Sequence, residues 1–357
     1  MIRLGRQGSS RRGVIQTLMA GIAGAIIGFA GTYLAGMGRE ATTQVLTTTV
    51  TAPLTIEKPK EKITIGIGTL TKELPWFKTE LAIRMLKETG YDVELVYLTP
   101  RAVREAFLAR KAQVASISAP VIYSLIEQGH DIITAPHTGA VELVLVANEN
   151  YPDPRSLEGK RVGIGLIGAY EYAALTAYLR ERNINVELIQ IGESKERANA
   201  LLGGKIDAAG LILKEALALI EQGAPVKIID SLHVFWVINW VYRDWAEQNS
   251  RFMIDYYKAQ ILAGQWALNN RDRFINEAME WMGLEQSEEN RKRQEEIYEW
   301  LRNLGVFYYT FAPIDEYKIL MKWTLESGDI KSEIPLEKIF DLPNRFLEQA
   351  FDEMKPT

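Results

Sequence analysis

From residue 62 onward, short apolar runs alternate with longer stretches in which apolar positions recur at helical spacing. ITIGI (63–67), VELVYL (93–98) and VASIS (114–118) have the length and β-branched content of strands, whereas FKTELAIRMLKETG (77–90) and EYAALTAYLRERN (171–183) carry an apolar stripe of period 3.6. Strands that alternate with helices predict parallel βαβ units with right-handed crossovers.

The pattern occurs twice. Residues 62–129 run from KITIGIG through YDVELVYL and TPRAVREAFLARKAQVASISAP to SLIEQG; residues 160–223 run from KRVGIGLIG through INVELIQI and GESKERANALLGGKIDAAGLIL to ALIEQG. Leu95 precedes Leu125 by 30 positions and Leu188 precedes Leu219 by 31, so order and spacing are both kept. Two copies imply two α/β lobes, each a mainly parallel sheet with flanking helices. Ligands in such sheets sit beyond the carboxyl ends of the strands. Facing lobes would therefore place their strand-end loops on opposite walls of one cleft. VKIIDSLHVFWVINWVYRDW (226–245) is an apolar run suited to return to the first lobe as a strand, and five helical stretches follow it to residue 354. The expected division is 62–146 with 238–357 as lobe 1 and 147–237 as lobe 2.

Ahead of this lies a different pattern. Gly13 to Gly38 carries no ionisable side chain, a length sufficient to cross a bilayer core, and Arg3, Arg6, Arg11 and Arg12 precede it. This charge bias holds the N-terminus inside and sends the remainder outward. Ser10-Arg11-Arg12-Gly13-Val14-Ile15 is similar to a twin-arginine export signal. Cleaved signal (1–38) and retained anchor both remain open, with residues 39–61, rich in Thr, as a linker. An exported, extracytoplasmic location is expected either way.

Composition narrows the chemistry. The 357 residues are 47% apolar and 24% charged, ordinary for a globular chain, and a net charge of −5 provides no basic field for nucleic acid. There is no cysteine, hence no disulfide, thiolate ligand or Cys nucleophile. His130, His137 and His233 show no metal spacing, and neither a GxSxG nor a P-loop is present. Gly163-x-Gly165 with Gly168 superficially fits GxGxxG, but the ribose-binding acid expected about 20 residues on is replaced by Gln190 and Ile191. No cofactor or metal is expected.

PRSLEGKRVGIG (154–165) resembles the signature that opens the second lobe of type 2 periplasmic substrate-binding proteins of ABC importers, in the branch of sulfonate, taurine, nitrate and pyrimidine-precursor binders. ANALLGGKIDAAG (198–210) and DLPNRFLEQAF (341–351) are similar to that branch's later motifs. The resemblance covers roughly residues 62–352. It implies a monomer that binds a small organic or anionic solute between its lobes and delivers it to a membrane permease, without catalysis. An enzyme on the same architecture, as in pyrimidine and menaquinone synthesis, is the alternative class, and a tethered sensory ectodomain is a third.

By the strand-end rule the lining should come from Gly68, Thr69 and Leu70, then Ser118 and Ala119, then His137 and Thr138 after a fourth strand. From the second lobe it should come from Ile167, Gly168, Ala169 and Tyr170, from Leu213 and Lys214, and from His233. Trp76 and Tyr170 are candidates to stack on a planar ring, against plain packing, and His137 to read a ligand, against simple satisfaction by backbone. Trp236 and Asn239 fall near the hinge. The family often has Ser where Ala169 stands, and Glu171 follows; a carboxylate there competes with an anion for the helix end unless Lys214 compensates. This departure disfavours sulfonate and nitrate and leaves neutral or cationic organic ligands open.

Overall fold

The first copy builds β1 (Ile63–Ile67), α1 (Leu74–Glu88), β2 (Val93–Tyr97), α2 (Pro100–Leu108), β3 (Val114–Ser116) and α3 (Ala119–Glu127). The second repeats the order as β5 (Arg161–Ile164), α4 (Tyr170–Glu181), β6 (Glu187–Gln190), α5 (Ser194–Leu202), β7 (Ala208–Ile212) and α6 (Leu213–Glu221). The computed structural model describes residues 62–355 except Gly168 and Tyr309, so the export segment and the linker lie outside the described residues.

Two strands of 17 residues link the copies: β4 (Ile132–Asn148) and β8 (Val226–Tyr242). At about 3.3 Å per residue each spans roughly 56 Å, enough to traverse both lobes. The strand order is β2-β1-β3-β8-β4-β7-β5-β6. Read inward from the two ends, β2-β1-β3 meets the C-terminal part of β8 through Val114↔Val241 and Ser116↔Asn239, while β6-β5-β7 meets the C-terminal part of β4 through Leu143↔Ile212 and Ala147↔Ala208. The repeat in the sequence is thus a repeat in topology.

One expectation changes. Each lobe does not own a separate sheet, because the ladder continues from one lobe to the other along β4 and β8. It is interrupted between Ala135 and Gly139, where the register shifts. Pro136 and Gly139 read as turn residues in the sequence, but the strand resumes because β8 pairs with β4 on both sides of the break. His137 and Thr138 therefore sit inside β4 and not in a loop beyond it.

The side chains still sort into lobes. In lobe 2, alternate residues of β4 feed opposite layers: Val144 and Val146 pack with Leu211, Ala216 and Leu219, whereas Leu145 and Ala147 pack with Leu157, Val162, Leu175 and Tyr178. A strand covered on both faces reads as a continuous apolar run, as LVLVA does. Lobe 1 has one larger core, completed by α7 (Arg243–Gln248), α8 (Ser250–Asn269), α9 (Arg271–Met282), α10 (Glu288–Leu304), α11 (Ile314–Ser327) and α12 (Leu336–Met354).

The recognisable motifs are structural. Leu157 is fully buried after a 3-10 turn (Pro154–Leu157), and Gly159, with φ +70°, makes the turn into β5. Asp207 accepts from the Arg161 backbone N–H at 3.0 Å and from its Nε at 3.3 Å, tying the start of β5 to that of β7.

Candidate functional site

Helix starts and strand ends from the two copies converge on one region. Tyr170, in the first turn of α4, lies against Phe235 of β8 with ring centroids 4.6 Å apart, and its hydroxyl receives the backbone N–H of Ala119 at the start of α3. This contact joins lobe 2 to lobe 1. Helix α11 runs beside both: Tyr123 of α3 donates to Tyr317 O at 3.0 Å, and Arg180 of α4 pairs with Glu326. At the far end, Glu127 of α3 accepts from Lys331 N at 2.7 Å, just beyond α11. The helices α3, α4 and α11 are therefore parallel, with all three N-termini at the same end.

The positive ends of three helices would favour an anion there. The chain's own acids already occupy the region. Glu171, in the first turn of α4, receives Arg197 Nη2 at 3.4 Å. Arg197 is fully buried and is held by three carbonyl oxygens, with Nε to Gly210 O at 2.8 Å and Nη1 to Ile191 O at 2.9 Å and Gly192 O at 2.6 Å. The cation that answers Glu171 is Arg197 and not Lys214. Lys214 pairs with Glu73 ahead of α1, with Thr71 Oγ1 at 3.4 Å.

Glu316, in the first turn of α11, is 5% exposed and lies 2.7 Å from His233 Nε2 through Oε2. Its second oxygen, Oε1, is buried and has no hydrogen-bond partner. Aromatic rings surround the pair: His233 meets Phe235 at 4.8 Å and Trp323 at 5.0 Å. Burial, followed by the charge of Glu316, pushes the Tyr170 phenol well above its ordinary range, and the Ala119 N–H partly offsets this. Tyr123 is raised too, first by burial and then by Tyr170 and Glu316. These effects place Tyr123, Tyr170 and Glu316 in one electrostatic neighbourhood.

The expected lining residues separate into groups. Ala119, Tyr170, Lys214 and His233 take part in the convergence just described. Ser118 is the N-cap of α3 and Ala169 that of α4, while Leu213 opens α6. Thr69 Oγ1 meets Thr71 Oγ1 at 3.2 Å in the loop after β1, and Leu70 and Ile167 are exposed. Gly168 lies outside the described residues. Trp76 is buried against the hinge, where a Cβ on Gly139 would fall 2.9 Å from its ring. His137 is also buried: its backbone N–H donates to Thr310 O at 2.9 Å and its ring meets Trp236 edge-on at 4.8 Å. Thr138 Oγ1 donates to Val237 O at 3.4 Å, and Asn239 Nδ2 to Pro136 O at 2.5 Å. Trp76, His137, Thr138 and Asn239 thus pack at the break in the β4–β8 ladder.

Sequence reasoning passed over Arg197, Phe235 and Glu316. For two of them a signal was present. Arg197 shares the buried face of α5 with Ala198 and Leu201, and Glu316 shares that of α11 with Tyr317, Leu320 and Thr324. A charge on an apolar stripe calls for a specific partner.

Residues 86–236 match the family model described as NMT1/THI5 like, and the chain resembles the periplasmic binding proteins of that group. No curated protein sequence matches the chain. Among solved structures, it is similar to the periplasmic sulfonate-binding protein SsuA of Methylobacillus flagellatus, at 15% identity and TM-score 0.60, over 82% of this chain and 94% of that one. It is likewise similar to a ligand-binding component of an ABC-type import system from Staphylococcus aureus, at 13% identity and TM-score 0.61, over 82% and 99%. The desulfurization enzyme DSZB aligns over 82% and 100% with 12% identity and TM-score 0.60. At these identities the likeness establishes the two-lobed fold of type 2 periplasmic binding proteins, which carries both binders and an enzyme.

Proposed function

We propose that this chain is the extracytoplasmic solute-binding component of an ABC importer, capturing a small organic solute between its lobes and presenting the closed form to a membrane permease. The observation that carries this reading is the meeting of strand-end elements from both lobes, at Tyr170 with Ala119 and at Lys214 with Glu73, beside a two-stranded hinge. A solute that touches both walls contributes more contacts in the closed arrangement and shifts the population toward it. The match over residues 86–236 supports the same role.

The cysteine-free chain makes the test direct. Dyes on Lys111→Cys and Lys195→Cys, exposed residues of opposite lobes, should report a change in transfer efficiency when a cognate solute binds, with a parallel rise in Tm. Sulfonates, nitrate, pyrimidines, flavins and aromatic cations form the screen. Turnover of a metabolite, with no solute of any class altering lobe spacing, would replace this reading with an enzymatic one.

A further inference from the structure

We infer that the solute selected by this cleft is an organic cation, whose charged nitrogen is received by Glu316 within the rings of Tyr170, Phe235 and Trp323. The inference rests on the solute-binding reading and adds the chemical class of the ligand.

Three observations carry it. The first is the state of the cations. Arg197 spends its donors on three carbonyls and Glu171, Lys214 is engaged by Glu73 and Thr71, and His233 by Glu316. An incoming anion would meet no uncommitted positive side chain among them and would have to displace an existing carboxylate. The second is the state of the helix ends. Glu171 and Glu316 stand in the first turns of α4 and α11, and the Tyr170 hydroxyl takes the Ala119 N–H at the start of α3. The fields that usually attract an external anion are thus satisfied from within.

The third is Glu316 itself. It is 5% exposed, and Oε1 accepts no hydrogen bond although a buried carboxylate oxygen ordinarily does. One oxygen is spent on His233 and the other remains available to a donor. Aromatic rings share its neighbourhood: Phe235 and Trp323 lie against His233, and Tyr170 lies on Phe235. Aromatic rings beside a carboxylate attract ammonium and amidinium groups through the ring quadrupole and through charge together. Separation of α4 from α11 and α3 would draw Tyr170 away from Ala119 and bring solvent and solute to Glu316.

The test uses three probes of one shape and different charge, benzamidinium, benzamide and benzenesulfonate, titrated against the full chain with calorimetry and the dye-labelled closure readout. Phenethylammonium, tetramethylammonium and imidazolium salts extend the cation series. At least one cation is expected to bind and close the lobes, with benzenesulfonate at least tenfold weaker. Glu316→Gln should weaken the binding cation at least tenfold, with partial recovery in Glu316→Asp. Should Glu316→Gln fail to fold, the order of the probes on the unsubstituted chain decides alone. Equal or tighter binding of benzenesulfonate, no response to any cation, or unchanged cation affinity in a folded Glu316→Gln overturns the inference. Closure by an anion or a neutral solute would leave the solute-binding reading standing, whereas no closure by any class would remove that as well.

Discussion

Arg197 has no exposed surface, yet a guanidinium is tolerated there because carbonyl oxygens of β7 and of the loop after β6 surround it and Glu171 supplies the opposite charge. Removal of one member of such a set leaves the rest desolvated and unpaired. Arg197→Met should therefore cost about 3–5 kcal/mol in urea unfolding of the full chain. Lys78 shows the opposite economy of charge. It is buried in α1, donates to Val306 O at 3.0 Å, and burial lowers its amine to about 7. The unfolded chain keeps that proton up to about 10.5. Between these values the unfolded state binds more protons, so stability rises with pH from about 7 upward and is flat in this group below. Above about pH 10 the buried tyrosines, whose phenols are raised, act in the reverse sense. Urea midpoints at pH 7 and 9.5 should rise for the natural sequence and differ less in Lys78→Met. Lys78 was not legible as buried from a single sequence, since a Lys on an amphipathic stretch is ordinarily solvated, whereas Arg197 was signalled by its place beside Ala198 and Leu201.

Elements were more legible than their ends. Alternation of β-rich and helical runs located the three strands of the first copy, because period 2 and period 3.6 leave different marks over short windows, and the repeat carried the same order to the second. The length of β4 was not legible. Pro136 and Gly139 punctuate it, and only pairing with β8 along its whole course, a contact across about 100 residues of sequence, keeps it one strand. That missed extension also moved His137 and Thr138 from a presumed rim to the break inside β4. Helix packing adds a second non-local constraint at Gly264 of α8, where a Cβ would come within 2.1 Å of Phe307 O. The obstruction is backbone, so it cannot swing aside. Gly264→Ala should destabilise lobe 1 by at least about 1–3 kcal/mol, read as a lower denaturation midpoint, whereas Gly204→Ala, which meets only the cost of φ +64° with nothing within 4 Å, should lose less.

At the scale of the molecule, internal duplication was the clearest feature of the sequence, and it carries the fold: two copies of one unit, related by exchange of β4 for β8, with a large first core that Ala174 of α4 also joins and two smaller layers on the second copy. The site was less legible. Strand-end position alone pointed to Ala119, Tyr170, Lys214 and His233, but which acid answers which base depends on the approach of α11, whose Glu316 lies 83 residues from His233, and of α5, whose Arg197 lies 26 from Glu171. Local pattern records the elements; it does not record such meetings.

The interlaced strands have a further consequence for any attempt to dissect the protein. The inner neighbour of β7 is the stretch Leu143–Ala147, contributed before the second copy begins. A fragment cut at residues 147–237 would lose nearly all of that neighbour and expose the edge of β7. It should emerge insoluble or unfolded by circular dichroism, while a fragment begun near Gly139 should fare better. Each lobe is in this sense a lodger in the other's reading frame, and the smallest piece able to stand by itself is longer than the duplicated unit.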